Sequence, residues 1–270
     1  MNIQTSLFTE DELLEEERNQ LVVKHNALIQ KTRYSLNTQQ QKIILYLISK
    51  IKPDDDELKE YDYDLKDFCR VCGIELNGKN YANIKESILQ LHNKAFWIET
   101  EEKDTLVSWI IKATIYKNDT RIRIRLDDDL KPFLLHLREQ FTAYELSYIL
   151  VMRSKYSIRL YEYLKSYLSL DIITISVKEL KEILDCVNDY NRWCDFKRRV
   201  LDTALAEING YTDLQITTEY IRKNRSIEKI IFHIGKKDSH KATITRIENT
   251  ARLKGTFQEI EQGRKQGNDG

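Results

Sequence analysis

The order of structural signals in this chain runs through once and then runs through again, and that repetition constrains the fold more than any single motif. Residues about 36–126 read as a helix, a short extended stretch, two further helices and a pair of alternating strands, and residues about 139–236 read the same way. In the first copy the spacing predicts a last helix over Tyr81–Lys94, followed by strands over Leu106–Lys117 and Arg121–Leu126. In the second copy it predicts a helix over Trp193–Ile208 and strands over Leu214–Arg222 and Ile227–Lys236. Three helices closed by a two-stranded hairpin define a winged helix, a helix-turn-helix variant. The expected fold class is therefore α+β, helix-rich, with two tandem winged-helix domains in pseudo-repeat.

Local signals set the boundaries. Asn37 precedes Ile43, Ile44, Leu47, Ile48 and Ile51, which recur at helical spacing, so it offers a cap for that helix. Pro53-Asp54-Asp55-Asp56 reads as a loop, and Tyr61 to Asp64 alternates like a short strand. Asp64 is placed to cap a helix running to about Val71, with Gly73 as its stop. Asn118-Asp119 reads as the tip of the first hairpin, and residues 127–137, with Pro132 early, as a linker helix. Thr142 is expected to cap a helix carrying Leu146, Ile149 and Leu150. Ser176 and Glu179 form a capping-box pair, Asn209-Gly210 ends the last helix, and Lys223 to Ser226 form the second wing tip.

These signals divide the chain into an acidic, flexible leader over 1–20, a first winged helix over 21–137, a second over 138–237, and a polar, disordered tail over 238–270. The leader carries Glu10, Asp11, Glu12, Glu15, Glu16 and Glu17 against Arg18 alone. With 43 basic and 43 acidic residues in all, the remainder is net basic. Zero net charge therefore does not exclude a nucleic-acid partner, because binding follows local clusters of Lys and Arg.

Several functions are excluded. No apolar run reaches the roughly 18 residues a membrane span needs. No export signal is visible, so the expected location is the cytoplasm and the four cysteines are expected as reduced thiols. Cys69 and Cys72 have zinc-ligand spacing but lack a second pair, since Cys186 and Cys194 lie too far apart, so no metal is expected. None of the five histidines forms the His-apolar-His pair a rolling-circle nickase requires, and no phosphate-binding Gly-rich loop is present. The chain reads as no enzyme and needs no cofactor.

The basic residues fall where a winged helix meets DNA. Arg192, Lys197, Arg198 and Arg199 stand near the front of the third helix of the second copy, whose apolar side is Phe196, Val200, Leu201, Ala204, Leu205 and Ile208. The front of such a helix enters the major groove, where a guanidinium can pair bidentately with guanine. Arg222, Lys223 and Arg225 flank the wing, where cations meet phosphate or minor groove. Arg153, Lys155, Tyr156 and Arg159 surround Ser154 at a helix start; a phosphate contact and a capped, solvated turn are both open readings there. In the first copy Lys79, Asn80, Asn83 and Lys85 open the third helix. Arg121 shares one strand face with Arg123 and Arg125, a face that suits phosphates and an ordinary solvated surface equally.

Two stretches resemble a known family. Asn26-Ala27-Leu28-Ile29 through Leu36-Asn37-Thr38-Gln39-Gln40-Gln41-Lys42 is similar to the opening of plasmid replication initiators of the Rep_3 type. Ser154-Lys155-Tyr156-Ser157-Ile158-Arg159-Leu160-Tyr161-Glu162 resembles their internal motif, and the helix with Trp193, Phe196 and Lys197 fits as well. The resemblance spans about residues 20–236 and leaves the tails uncovered. It implies two winged helices that bind iterons, the direct repeats of a replication origin, on double-stranded DNA. By position Arg192, Lys197, Arg198 and Arg199 inherit sequence readout, and Arg153, Lys155, Tyr156 and Arg159 inherit backbone contact. It further implies a monomer–dimer equilibrium through the first winged helix, and recruitment of the host initiator and replicative helicase. A winged-helix transcriptional repressor and a protein-interaction scaffold remain as rival readings of the same residues.

Overall fold

The computed structural model describes residues 10–52, 55–72, 74–99, 102–117 and 119–267. Pro53, Asp54, Gly73, Asn118, the first nine residues of the leader and the last three of the tail lie outside them, and so do the expectations placed there. The chain opens with α1 (Glu10–Arg18) and then runs β1 (Leu21–His25), α2 (Asn26–Gln30), α3 (Thr38–Ser49), β2 (Glu60–Asp64), α4 (Leu65–Val71) and α5 (Gly78–Asn93). Next come β3 (Ala95–Glu99), β4 (Asp104–Ser108), β5 (Ile110–Ile115), β6 (Arg121–Leu126) and α6 (Lys131–Leu134). The second half runs β7 (Phe141–Glu145), α7 (Leu146–Leu150), α8 (Lys155–Lys165), β8 (Ile172–Ser176), α9 (Val177–Ile183) and α10 (Trp193–Phe196). A π-helical turn over Lys197–Leu201 joins α10 to α11 (Asp202–Tyr211), and β9 (Leu214–Lys223), β10 (Ser226–Lys236) and α12 (Ser239–Gly267) complete the chain.

The repeat is real and longer than its sequence signal. One three-stranded sheet has the order β2-β6-β5 and the other β8-β10-β9, so each half returns its hairpin to the same early strand. The extra hairpin β3–β4 interrupts only the first half. Both halves also begin with a strand, and these two, β1 and β7, pair antiparallel with Val23 opposite Ala143. Just beyond the ladder the Asn26 amide donates to the Gln140 carbonyl at 2.6 Å, and the Leu146 amide to the Gln20 carbonyl at 2.9 Å. Equivalent groups thus bond to each other's halves, which is the pattern of a local two-fold axis through the middle of the ladder.

Capping chemistry fixed most helix starts. Asn37 accepts from the Gln40 amide at 2.9 Å while Gln40 Oε1 accepts from the Asn37 amide at 3.0 Å, a reciprocal pair that satisfies two otherwise unbonded donors. Behind it α3 buries Ile43, Ile44, Leu47 and Ile48 in the core. Each such side chain stabilises the fold by about 1.5–3 kcal/mol through removal of apolar surface from water, so a charged residue at Ile44 would break the packing. Asp64, Asn77, Ser154 and Ser176 start α4, α5, α8 and α9 with a single bond each, the side chain accepting one backbone amide. At Ser176 the donor is the Glu179 amide, and the reciprocal half of the expected capping box is not formed.

Four expectations need correction. Thr142 caps no helix: it lies in β7 opposite Lys24 and donates to Asn26 Oδ1 at 2.6 Å, because the residues around it pair with β1. The helix expected over 127–137 is a 3-10 turn over Asp128–Leu130 followed only by α6, since the backbone turns extended at Leu135 and left-handed at His136. The leader is anchored by α1, where buried Arg18 donates to the carbonyls of Arg70 at 2.8 Å and Val71 at 3.1 Å. The tail expected to be disordered forms α12, which buries Thr245, Asn249, Thr250 and Leu253. Asn249 donates to the Tyr211 carbonyl at 2.8 Å, satisfying the end of α11. Small polar residues make that seam, so an apolar periodicity never announced it.

Candidate nucleic-acid interface

In the second half α9 precedes the α10–α11 run, and the β9–β10 hairpin follows as the wing. The run stands on the core through Phe196, Val200, Leu201, Ala204 and Ile208, all fully buried. Sequence periodicity predicts one regular helix here; the π turn instead inserts an extra residue's worth of rotation at Lys197–Leu201, and such wide turns recur at functional sites. It lets Val200 and Leu201 enter the core together while Arg198 and Arg199 stay exposed.

Helix and wing are brought together by two ring contacts. Trp193 meets Tyr220 of β9 edge-on with centroids 5.3 Å apart, and the Lys197 ammonium lies 5.9 Å from the same ring. The front of the helix therefore sits beside the strand that carries Arg222 and Lys223 to the tip. There Asn224 takes the left-handed conformation (φ 56°) that a tight hairpin end demands, and Arg225 projects into solvent beside it.

Acidic neighbours temper these cations. Arg192, 76% exposed, bonds Asp195 at 2.7 Å, and Arg198, 71% exposed, reaches the other oxygen of that carboxylate at 3.5 Å. The Arg192 hydrogen bond holds the Asp195 carboxyl below its usual range and raises the guanidinium in turn. Lys197 bonds both oxygens of Asp202 at 2.6 and 2.9 Å, which raises its ammonium. Lys223 bonds Glu228 at 3.1 Å. Arg222 and Arg225 have no ion pair among the described residues. Exposed pairs of this kind are worth little and exchange readily for phosphate.

The cluster around Ser154 divides. Arg153 is exposed, but its amide and that of Ser154 already donate to Glu207 of α11 at 3.1 and 3.3 Å, so a carboxylate occupies the helix start where a phosphate contact was one reading. Lys155 lies 3.7 Å from Asp185 and 4.9 Å from the Tyr156 ring, which itself meets Tyr190 edge-on. Arg159 is a correction. It is only 3% exposed and donates to the Thr32 carbonyl at 2.8 Å and the Tyr34 hydroxyl at 2.9 Å, so it serves the fold and cannot reach a DNA backbone.

The first half presents a weaker surface. Lys79, Asn83 and Lys85 are exposed on α5, whereas Asn80 is half-buried and spends its side chain on the Glu75 carbonyl at 2.8 Å. The arginine face of β6 is neutralised from within: Arg121 pairs with Asp119, Arg123 bonds Asp62 twice at 2.8 and 2.9 Å, and Arg125 bonds Asp128 at 2.8 Å. Sequence reasoning missed Lys178, highly exposed on α9, and Lys94, which donates to the Ser35 carbonyl at 2.7 Å near Lys155. Their one signal was a lysine among other charges on α9 and a lysine just past the end of α5, too common to single out.

Two winged helices, each with its third helix and wing in place, define the class: a tandem winged-helix protein. Its two halves match, in order, the family models for the first and second winged helices of replication initiators, described as "Initiator Replication protein, WH1" over residues 21–165 and "Initiator Rep protein, WH2" over residues 176–234. The chain belongs to this replication-initiator family, a family of DNA-binding proteins. The first matched range extends to residue 165, through α7 and α8, beyond the boundary expected at 137. A replication initiation protein of Escherichia coli is 22% identical over 231 residues, covering 81% of this chain and 70% of that protein. Among solved structures, the Pi initiator protein in complex with iteron DNA superposes with a TM-score of 0.67 at 19% identity, covering 82% of this chain and 99% of that one. Domains 2 and 3 of RctB align with a TM-score of 0.47 at 13% identity, over 76% of this chain and 85% of theirs. Among the described residues no helix is long and apolar enough to cross a membrane.

Proposed function

We propose that this protein starts replication of a bacterial plasmid by binding direct repeats, iterons, in the duplex of its origin, helping to open it and recruiting the host initiator and replicative helicase. It acts in the cytoplasm, without catalysis of its own. The observation that carries the reading is the seating of Trp193 and Lys197 against Tyr220, which joins the third helix and the wing of the second half into one basic docking edge. Arg192, Lys197, Arg198 and Arg199 read the major groove, Arg222, Lys223 and Arg225 hold the backbone at the wing, and Arg153, Lys155 and Tyr156 contact flanking phosphate. The family membership and the superposition on an initiator described with iteron DNA support this reading.

The first half adds contacts through Lys79, Asn80, Asn83, Lys85 and Arg121 and shares its surface with self-association. The added β3–β4 hairpin supports that division, because Trp97 and Leu106 lie directly opposite each other and are each 53% exposed. The deciding experiment is a mobility-shift titration on the direct repeats of the encoding replicon. With six to ten phosphate contacts the affinity falls by roughly 10³–10⁵ between 50 and 200 mM salt. Arg198→Ala/Arg199→Ala weakens binding and flattens that slope; an unchanged affinity and slope would remove the proposed reading helix.

A further inference from the structure

The junction between the halves holds a charged cluster sealed from water. Lys24 of β1 and Glu162 of α8 form an ion pair with each side chain only 1% exposed, and the Tyr144 hydroxyl of β7 donates to the same carboxylate oxygen. One turn earlier on α8, the Arg159 guanidinium lies 4.3 Å over the Tyr34 ring and bonds Tyr34 and Thr32, both in the first half. Its third bond, to the Ile183 carbonyl at 3.4 Å, reaches the end of α9 in the second. Burial pulls the Lys24 ammonium below its ordinary pKa, Glu162 opposes that shift, and the nearby Arg159 charge adds to it.

Such a cluster contributes little net stability, since desolvating two charges offsets most of their attraction, and an apolar pair of similar volume packs as well. What it does impose is geometry. A buried charge tolerates only the arrangement in which its partners stay in place, whereas an apolar contact permits sliding. Another charged bond crosses, from the Lys42 ammonium of α3 to the Leu150 carbonyl at 2.5 Å, but a lone carbonyl fixes an ammonium less closely than a carboxylate does. The strand ladder and the neutral bonds are less strict. The β1–β7 ladder is only five residue pairs long, and Thr38 to the Arg153 carbonyl, at 3.1 Å, is exposed. Gln41 to the Lys155 carbonyl, also 3.1 Å, is a single neutral bond.

We propose that Lys24, Glu162, Tyr144 and Arg159 form a positioning cluster that fixes the angle between the two winged helices. Through that angle they set how far apart along one duplex the contacts of the two halves fall. That consequence rests on the duplex-binding reading; the fixed angle does not.

The test uses the full chain without DNA. Cys194 is exposed while Cys69, Cys72 and Cys186 are buried, so a spin label on Cys194 and a second on Glu86→Cys, in exposed α5, report one distance between the halves. The Lys24→Met/Glu162→Leu pair, which leaves no orphaned charge, is expected to keep a cooperative thermal transition. Its interhalf distance distribution is expected to broaden roughly twofold or to split, as two arrangements become populated. A folded pair variant with the narrow wild-type distribution overturns the proposal. If that pair does not fold, Tyr144→Phe, which removes one hydroxyl, is read by the same standard: a broadened distribution supports the proposal and an unchanged one overturns it. Failure here leaves the mobility-shift result standing, and failure of that shift leaves this distance standing.

Discussion

Val23 and Ala143 face each other at the centre of the β1–β7 ladder, each the middle residue of its own strand. Because the two strands open equivalent halves, this pairing makes one chain resemble a dimer of itself, closed through its first strands. The two heads are consequently held by contacts drawn from many parts of the sequence, in addition to the short connection over 135–140. Mutations at the junction and mutations at the DNA-facing edge should therefore behave differently.

Arg159 and Arg199 give the sharpest contrast. Arg159→Met removes a buried guanidinium with its bonds to Thr32 and Tyr34, and is expected to cost about 1–3 kcal/mol, the scale of leaving a buried acceptor unsatisfied. Arg199→Ala should leave the urea midpoint where it is and weaken DNA binding. A stable Arg159→Met protein with impaired binding would restore the surface role that burial argues against.

At the wing, Arg222→Ala/Arg225→Ala should weaken binding to all sequences alike. The slope of log affinity against log salt should fall by about 1 for each phosphate that is no longer neutralised. A change in sequence preference instead of a uniform weakening would assign these side chains to base edges.

The tail helix predicts a stability effect far from any DNA contact. Leu253 of α12 is buried in the core, so Leu253→Ala should destabilise by about 2–5 kcal/mol in urea unfolding. An unchanged midpoint would mean that α12 is not docked in solution.

High pH should unfold the protein, and the sign follows from burial. Cys69, Cys72 and Cys186 are pushed up to about 12 by desolvation, and the Tyr144 and Tyr161 hydroxyls are raised well above their ordinary value for the same first reason. These groups ionise more easily in the unfolded chain, so the stability they confer is present at neutral pH. It is lost as pH rises, from about 9 for the thiols and about 10 for the phenols. Lys24 and Lys42 are shifted downward and act oppositely over the same range, but they are outnumbered. Thermal melts at pH 8 and pH 11 should therefore differ, with the lower midpoint at pH 11. Equal midpoints would show that the thiols and phenols are not sealed.

At the thiols themselves, Ellman's reagent should find one reactive cysteine in the native protein, Cys194, and the other three only in denaturant.

Legibility in the sequence followed the range of the interaction. The caps at Asn37, Asp64 and Ser176 were readable because donor and acceptor lie within three residues. The two winged helices were readable because apolar periodicity repeats within each. β1 and β7 were not, since neither alternates strongly and each becomes a strand only against the other. Arg159 looked like the cations around it because nothing near it in sequence shows that Thr32 and Tyr34 will surround it. The Arg123–Asp62 salt bridge on β6 was hidden for the same reason, as Asp62 lies far upstream. For the DNA-facing edge, the sequence showed which cations stand at the helix front and wing, while the Trp193–Tyr220 contact that unites them needed the fold.

The ladder between β1 and β7 also bears on synthesis. β1 leaves the ribosome long before Phe141–Glu145 has been translated, at ordinary rates of synthesis on the order of ten seconds earlier. During that interval the nascent first half carries an open strand edge and a half-built junction in which Lys24 still lacks Glu162. An unpaired edge invites pairing with other chains, and on a polysome the nearest candidates are identical copies. Slowing translation through the segment before β7 is thus expected to divert more of the product into assemblies joined through that first strand.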